Sequence, residues 1–192
     1  MNISFYNVLS HLISGFLVYI AGLYILKLDP NYLDPLMVTA VAYMIGYFIN
    51  TLSAWSEWFL NWTWGGRPSD QLLKGKQCAR IKFSEYEKAC QLLQKKHGGK
   101  NTTTDNLFKV AMRITDNEGR ISEMNGQYAF SRSFLVAILV SLVILSFKFY
   151  SNLEFWPVSV LLVLIAWYRA KERGYYYAKE VLNVALNKLE NK

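Results

Sequence analysis

The sequence is poor in the side chains that most metal, redox and nucleophilic chemistry needs. Its 192 residues include two histidines and two cysteines. His11 and His97 fall in distant and unlike stretches, so no paired imidazoles are on offer for zinc. Cys78 and Cys90 lie in a charged segment read as cytosolic. A disulfide is not expected there, and two thiols without further ligands make no metal site. No Ser or Cys stands near a His in a nucleophile motif, and no carboxylate pair is placed for acid–base work. Gly65-Gly66-Arg67 has neither the spacing of a phosphate loop nor a preceding strand, so a helix stop with a Ser69 or Asp70 cap is expected. Proline is scarce too, with four in the chain, and each sits where a helix has reason to end or begin. These absences point away from catalysis: a non-enzyme with no cofactor and no metal is expected.

What is abundant is apolar surface, with 53% hydrophobic and 16% aromatic residues. Leu36 to Trp64 is one unbroken, mostly apolar run, longer than the roughly 20 residues a helix needs to cross a bilayer core. It is read as a single transmembrane helix closed by Gly65-Gly66. Val8 to Leu26 forms an earlier span, with His11, Gly15, Val18 and Gly22 on one small-residue face. No basic leader or small-residue cleavage site marks it as a signal peptide, so it is read as a retained helix. The turn after it carries Asp29-Pro30 and Asp34-Pro35. A third span follows a long helix beginning near Ile121, and a short fourth, VSVLLVLIAWY, follows Pro157.

The resulting expectation is an all-α fold: a four-helix transmembrane bundle with a small helical cytosolic insert and an amphipathic C-terminal helix. Residues 1–64 form the first hairpin, 65–132 the insert, 133–168 the second hairpin and 169–192 the tail. In the insert, Ser84 to Glu87 match a capping box, followed by an apolar face of Tyr86, Ala89, Cys90 and Leu93. A second helix begins near Asp105, with Leu107, Val110, Ala111 and Ile114 as its stripe. Two such helices cannot bury a core alone; they need each other, the tail, the membrane face or another subunit. In the tail, Ala178, Val181, Leu182, Ala185 and Leu189 form the stripe.

Charge sets the orientation. The chain carries a net charge of +7, and 19 of its 21 Lys and Arg fall in residues 67–132 and 169–192. That asymmetry predicts a bacterial inner-membrane protein with both termini cytosolic.

Three groups of residues stand out. Gly46, Asn50 and Ser53 recur at helical spacing as an intramembrane polar stripe. Glu57 continues it to the inner rim, where it should pair with Arg132, Arg169 or both. Trp58, Trp62, Trp64, Tyr175, Tyr176 and Tyr177 read as interface anchors. Tyr175, Tyr176 and Tyr177 lie between Arg173 and Lys179 just after a membrane helix, which suits that role and argues against direct nucleic-acid binding.

Four short spans, a basic insert, NGQYAFSR leading into the third span and RAKERGYYYAKEV after the fourth resemble the small multipass inner-membrane proteins of bacterial anti-phage defence loci. The membrane subunits of Kiwa systems are the nearest of these in layout. The resemblance implies a membrane-embedded homo-oligomer that senses phage attack and works with a cytosolic DNA-binding partner. The expected partners are thus membrane lipids, further copies of the chain and a cytosolic protein recruited through the insert and tail. The competing reading is a membrane-disrupting effector or gated channel, with Ser14, Asn50 and Ser53 lining its pore.

Overall fold

Apolar periodicity becomes helix wherever the structure, a computed structural model, describes the chain: residues 5–28, 34–76, 81–98, 102–116 and 118–191. Among them lie eight helices: α1 (Phe5–Leu26), α2 (Pro35–Trp55), α3 (Glu57–Thr63), α4 (Pro68–Leu73), α5 (Tyr86–His97), α6 (Thr104–Thr115), α7 (Gly119–Phe149) and α8 (Phe155–Glu190). Cys78 and the expected turn at Asp29-Pro30 lie outside the described residues. Helix ends follow local chemistry. Asp34 caps α2, its carboxylate accepting from the Leu36 amide at 2.8 Å, with Pro35 in the first turn. Gly98 ends α5 in the left-handed region.

Three helices, α1, α2 and α7, are long and apolar enough to cross a membrane. The expected fourth is not among them. An 18-residue stretch of α8 begun at Phe155 already takes in Arg169, Lys171 and Glu172. The long central run is also corrected: it is two helices, with Ser56 between Trp55 and Glu57 as the cap of α2, its amide bonded to the Leu52 carbonyl at 3.0 Å. Side chains compete with the backbone there. Ser53 Oγ bonds the Asn50 carbonyl and Ser56 Oγ the Ser53 carbonyl, at 2.8 and 3.1 Å. The capping box is corrected as well. Helix α5 starts at Tyr86 with Glu85 as its cap residue and no side-chain cap bond. Glu87 accepts a hydrogen bond from the Tyr86 hydroxyl instead.

The chain divides into two contact units. The first comprises Met1–Glu57 and Gly126–Ala170, the second Trp58–Asn125 and Lys171–Lys192. The first unit is built inside out. Helix α2 buries Ala42, Gly46, Ile49 and Ser53 and exposes Met37, Met44, Phe48 and Leu52. Water would reverse that choice; a hydrocarbon solvent does not. Backbone contact holds α1 to α2. A Cβ on Gly15 would lie 1.7 Å from the Ala42 carbonyl oxygen, and one on Gly46 would lie 1.7 Å from that of His11. Ile49, Val136 and Ala137 then form a small core with Leu17, Val18 and Val140.

The second unit is built as in water. Leu72, Leu93, Leu107 and Ala111 bury against Val181, Leu182, Ala185 and Leu186 of α8. Helices α4, α5 and α6 thus gain their core from the C-terminal helix. Charges stay on the outside as pairs: Lys88–Glu190, Arg120–Glu180 and Lys188–Glu118, at 2.5 to 2.9 Å. Lys109 first and Arg67 second hold the Asp105 carboxyl below the usual carboxylate range. That support is present above the unfolded carboxylate value and is lost as pH falls through the lower folded one.

The two glycines at the helix contact should behave unlike Gly22, beside which a Cβ meets nothing within 4 Å. Gly15→Ala or Gly46→Ala should cost about 1–3 kcal/mol of stability in detergent, since the obstacle is backbone. Gly22→Ala should be neutral or slightly stabilising. Equal thermal midpoints for all three variants would rule out the close contact. In the second unit, Leu182→Ala should cost about 2–5 kcal/mol and speed proteolysis of residues 58–125; an unchanged cleavage rate would exclude a shared core.

Candidate functional site

The polar stripe of α2 is not idle. Helical spacing puts Gly46, Asn50, Ser53 and the Glu57 that follows on the side facing α1 and α7, and each polar member finds a partner there. The Asn50 amide bridges two neighbours. Its Nδ2 lies 3.2 Å from His11 Nε2 on α1, and its Oδ1 accepts from Ser133 Oγ on α7 at 2.7 Å. An amide nitrogen can only donate, so His11 Nε2 is the acceptor in this contact, while the buried Nδ1 has no hydrogen-bond partner among the described residues. Ser133 spends its hydrogen on Asn50, and the single Ser53 hydrogen has two acceptors in reach, the Asn50 carbonyl at 2.8 Å and Ser133 Oγ at 3.1 Å. Both serines are fully buried. The His11 ring is held from the side by Tyr43 and Tyr47, with centroids 5.3 and 5.9 Å away.

One turn further on, the stripe ends in charge. Arg132 Nη1 donates to Glu57 Oε2 at 2.5 Å, and the Tyr128 hydroxyl donates to Glu57 Oε1 at 3.3 Å. The Arg132 guanidinium also packs over the Tyr128 ring, 5.2 Å from its centroid. The arginine side chain is 11% exposed and the carboxylate 43%, so the cation is the member that cannot do without its partner. Arg169 is exposed on α8. Chemically, this is a ladder of neutral hydrogen bonds ending in one ion pair. It fixes the register of α2 against both α1 and α7, because Asn50 reaches both neighbours and Glu57 reaches α7.

The aromatic residues divide. Trp58 and Trp62 are exposed, and with Phe59 they form a continuous ring cluster on α3. Tyr176 is exposed as well. Trp64 and Tyr175 correct the expectation: at 5% and 4% exposure they are buried in protein and present no surface to a lipid interface. Tyr177 is half-buried, edge-on to Phe108, and its hydroxyl reaches Met112 Sδ at 3.6 Å. Three tyrosines between Arg173 and Lys179 suggest interface anchors, but Tyr175 and Ala178 share the face of α8 that carries Leu182. The Gly65-Gly66 amides are spent on the Trp62 and Asn61 carbonyls, the bonding of a helix stop. Ser14 is fully buried, like Ser53.

His11, Tyr128 and Ser133 are members of the site that spacing along α2 alone did not show. Their signal was visible all the same. Tyr128 and Arg132 are four apart, Ser133 is adjacent, and His11 is the lone ionisable group of an apolar helix. Among the described residues, no cluster of His, Cys, Asp or Glu could hold a metal. Compared with known protein families, with curated proteins and with solved structures, the chain has no match.

Removing one side of the ion pair should cost more than removing both. Glu57→Gln should lower stability in detergent by about 1–3 kcal/mol, less than for a fully buried pair because the carboxylate is partly solvated. Adding Arg132→Met should recover part of that loss. A double-mutant cycle with no coupling would show the pair to be energetically inert.

Proposed function

We propose that this chain is a non-enzymatic sensor or scaffold of the bacterial inner membrane that forms homo-oligomers and recruits a cytosolic partner through its second contact unit. One observation carries the reading: two units of one chain are solved for two different solvents. The first hides small and polar residues and shows Met, Phe and Leu. The second hides Leu and Val and shows charge. Helices α7 and α8 each contribute residues to both units. The apolar start of α8 completes a four-span topology with both termini in the cytosol. Val158, Leu161 and Ile165 are exposed along it, and the distribution of Lys and Arg supports the orientation. The resemblance to membrane proteins of anti-phage loci supplies the setting, in which the stimulus is phage attack and the partner binds DNA.

Topology and assembly are tested together. Trypsin should cut within residues 58–125 in inside-out vesicles and spare them in sealed cells. Amine crosslinking in native membranes should yield multiples of the 22.2 kDa chain together with a cytosolic protein. Recovery of that protein should fall at least about tenfold, near 1.4 kcal/mol, on reversing the exposed charges Lys95 and Lys96 at the end of α5. Cleavage from the outside, or a chain that stays single and alone, would sink the reading.

A further inference from the structure

Helix α2 has three faces, and the third is unexplained by the fold. At 100° per residue, the buried face carries Ala42, Gly46, Ile49 and Ser53. A second face carries Met37, Val41, Met44, Phe48, Leu52 and Trp55, all exposed and without a side-chain hydroxyl or amide. That is a surface made for lipid tails. The third face carries Ala40, Tyr43, Tyr47 and Ala54, all exposed too, with Thr51 half-buried among them. Its chemistry is different. Thr51 Oγ is satisfied by the Tyr47 carbonyl at 3.0 Å, but the Tyr43 and Tyr47 hydroxyls make no hydrogen bond among the described residues.

Depth makes this costly. At 1.5 Å per residue, Tyr43 lies about 12 Å and Tyr47 about 18 Å along a helix of roughly 31 Å, so both phenols belong to its middle. Membrane tyrosines normally gather at the ends of a span, where the hydroxyl meets water. In hydrocarbon an unmet hydroxyl is penalised, and small residues such as Ala40 and Ala54 beside it are what a helix presents to another helix. The two rings are also fixed in place by His11, which packs against both and is itself tied to Asn50. The third face is thus continuous with the α1–α2 contact.

We infer that the Ala40–Tyr43–Tyr47–Ala54 face of α2 is the surface on which a second copy of this chain docks within the membrane. The inference rests on the homo-oligomeric reading above and gives it an address. A copy of the same face is a fitting occupant because a phenol both donates and accepts. Across a two-fold axis, Tyr43 can serve Tyr47 of the other copy while Tyr47 serves its Tyr43, and the alanines let the backbones approach.

Single cysteines placed at Ala40, Ala54, Met44 or Phe48, with Cys78 and Cys90 replaced by Ser, would be oxidised in native membranes with copper–phenanthroline. A disulfide needs Cα atoms about 4.4–6.8 Å apart, so disulfide dimers should form from Ala40→Cys or Ala54→Cys and not from Met44→Cys or Phe48→Cys. Tyr43→Phe with Tyr47→Phe keeps both rings and should weaken self-association roughly threefold per hydroxyl removed, measured by energy transfer in vesicles. Oligomers that crosslink only through the Met44–Phe48 face would overturn this inference and leave the homo-oligomeric reading standing. Amine crosslinking that finds a single chain at native expression would overturn both. Cysteine crosslinking does not depend on the tyrosine variant, so a misfolded double variant leaves the first measurement decisive.

Discussion

The meeting of Gly15 with Ala42 and of Gly46 with His11 is the constraint on which the membrane part depends. Two backbones touch where any side chain would force them apart. That closeness brings the His11 ring within reach of the Asn50 amide, and Asn50 in turn reaches Ser133 on α7. Push the helices apart by one methyl group and the first rung of the ladder opens. In lipid, opened rungs find no water to replace them. The hydrogen bonds are therefore less a source of affinity than a penalty on every other register.

The same logic explains why charge is confined to one end of the ladder. Neutral groups occupy the rungs at positions 50 and 53, deeper along the helix. The carboxylate waits until position 57, after α2 has ended at Trp55. Glu57 keeps partial contact with solvent while Arg132 is largely withdrawn, which suits a cation that needs a counter-ion and a carboxylate that can be hydrated on its far side. Tyr128 fills the remaining acceptor site. The break at Ser56 and the position of Glu57 are thus parts of one arrangement.

Much of this could be read from the chain. The three strongly apolar helices, the ends at Asp34-Pro35 and Gly98, and the shared face of Gly46, Asn50 and Ser53 follow from period and from the known preferences of cap residues. Other features were hidden for physical reasons. Ser56 is one polar residue in a long apolar run, and its position alone does not mark the end of α2. Ser84 and Glu87 have the spacing of a capping box, yet the backbone turns one residue too late to use it. Trp64 and Tyr175 carry the composition of membrane anchors, but burial is decided by which elements pack on them. That information belongs to tertiary contacts and leaves no mark in local pattern.

The second unit's core has an order of manufacture built into it. Leu72, Leu93 and Leu107 are synthesised long before Val181, Leu182 and Leu186, and α7 and the start of α8 lie in between. Those early leucines leave the ribosome before the α8 residues that complete their core. They must wait for the final helix, and any chaperone or membrane surface that shields them meanwhile has to let go when it arrives. A chain cut short before Lys171 would lack the α8 side of that core, so the burial of these leucines depends on residues made much later.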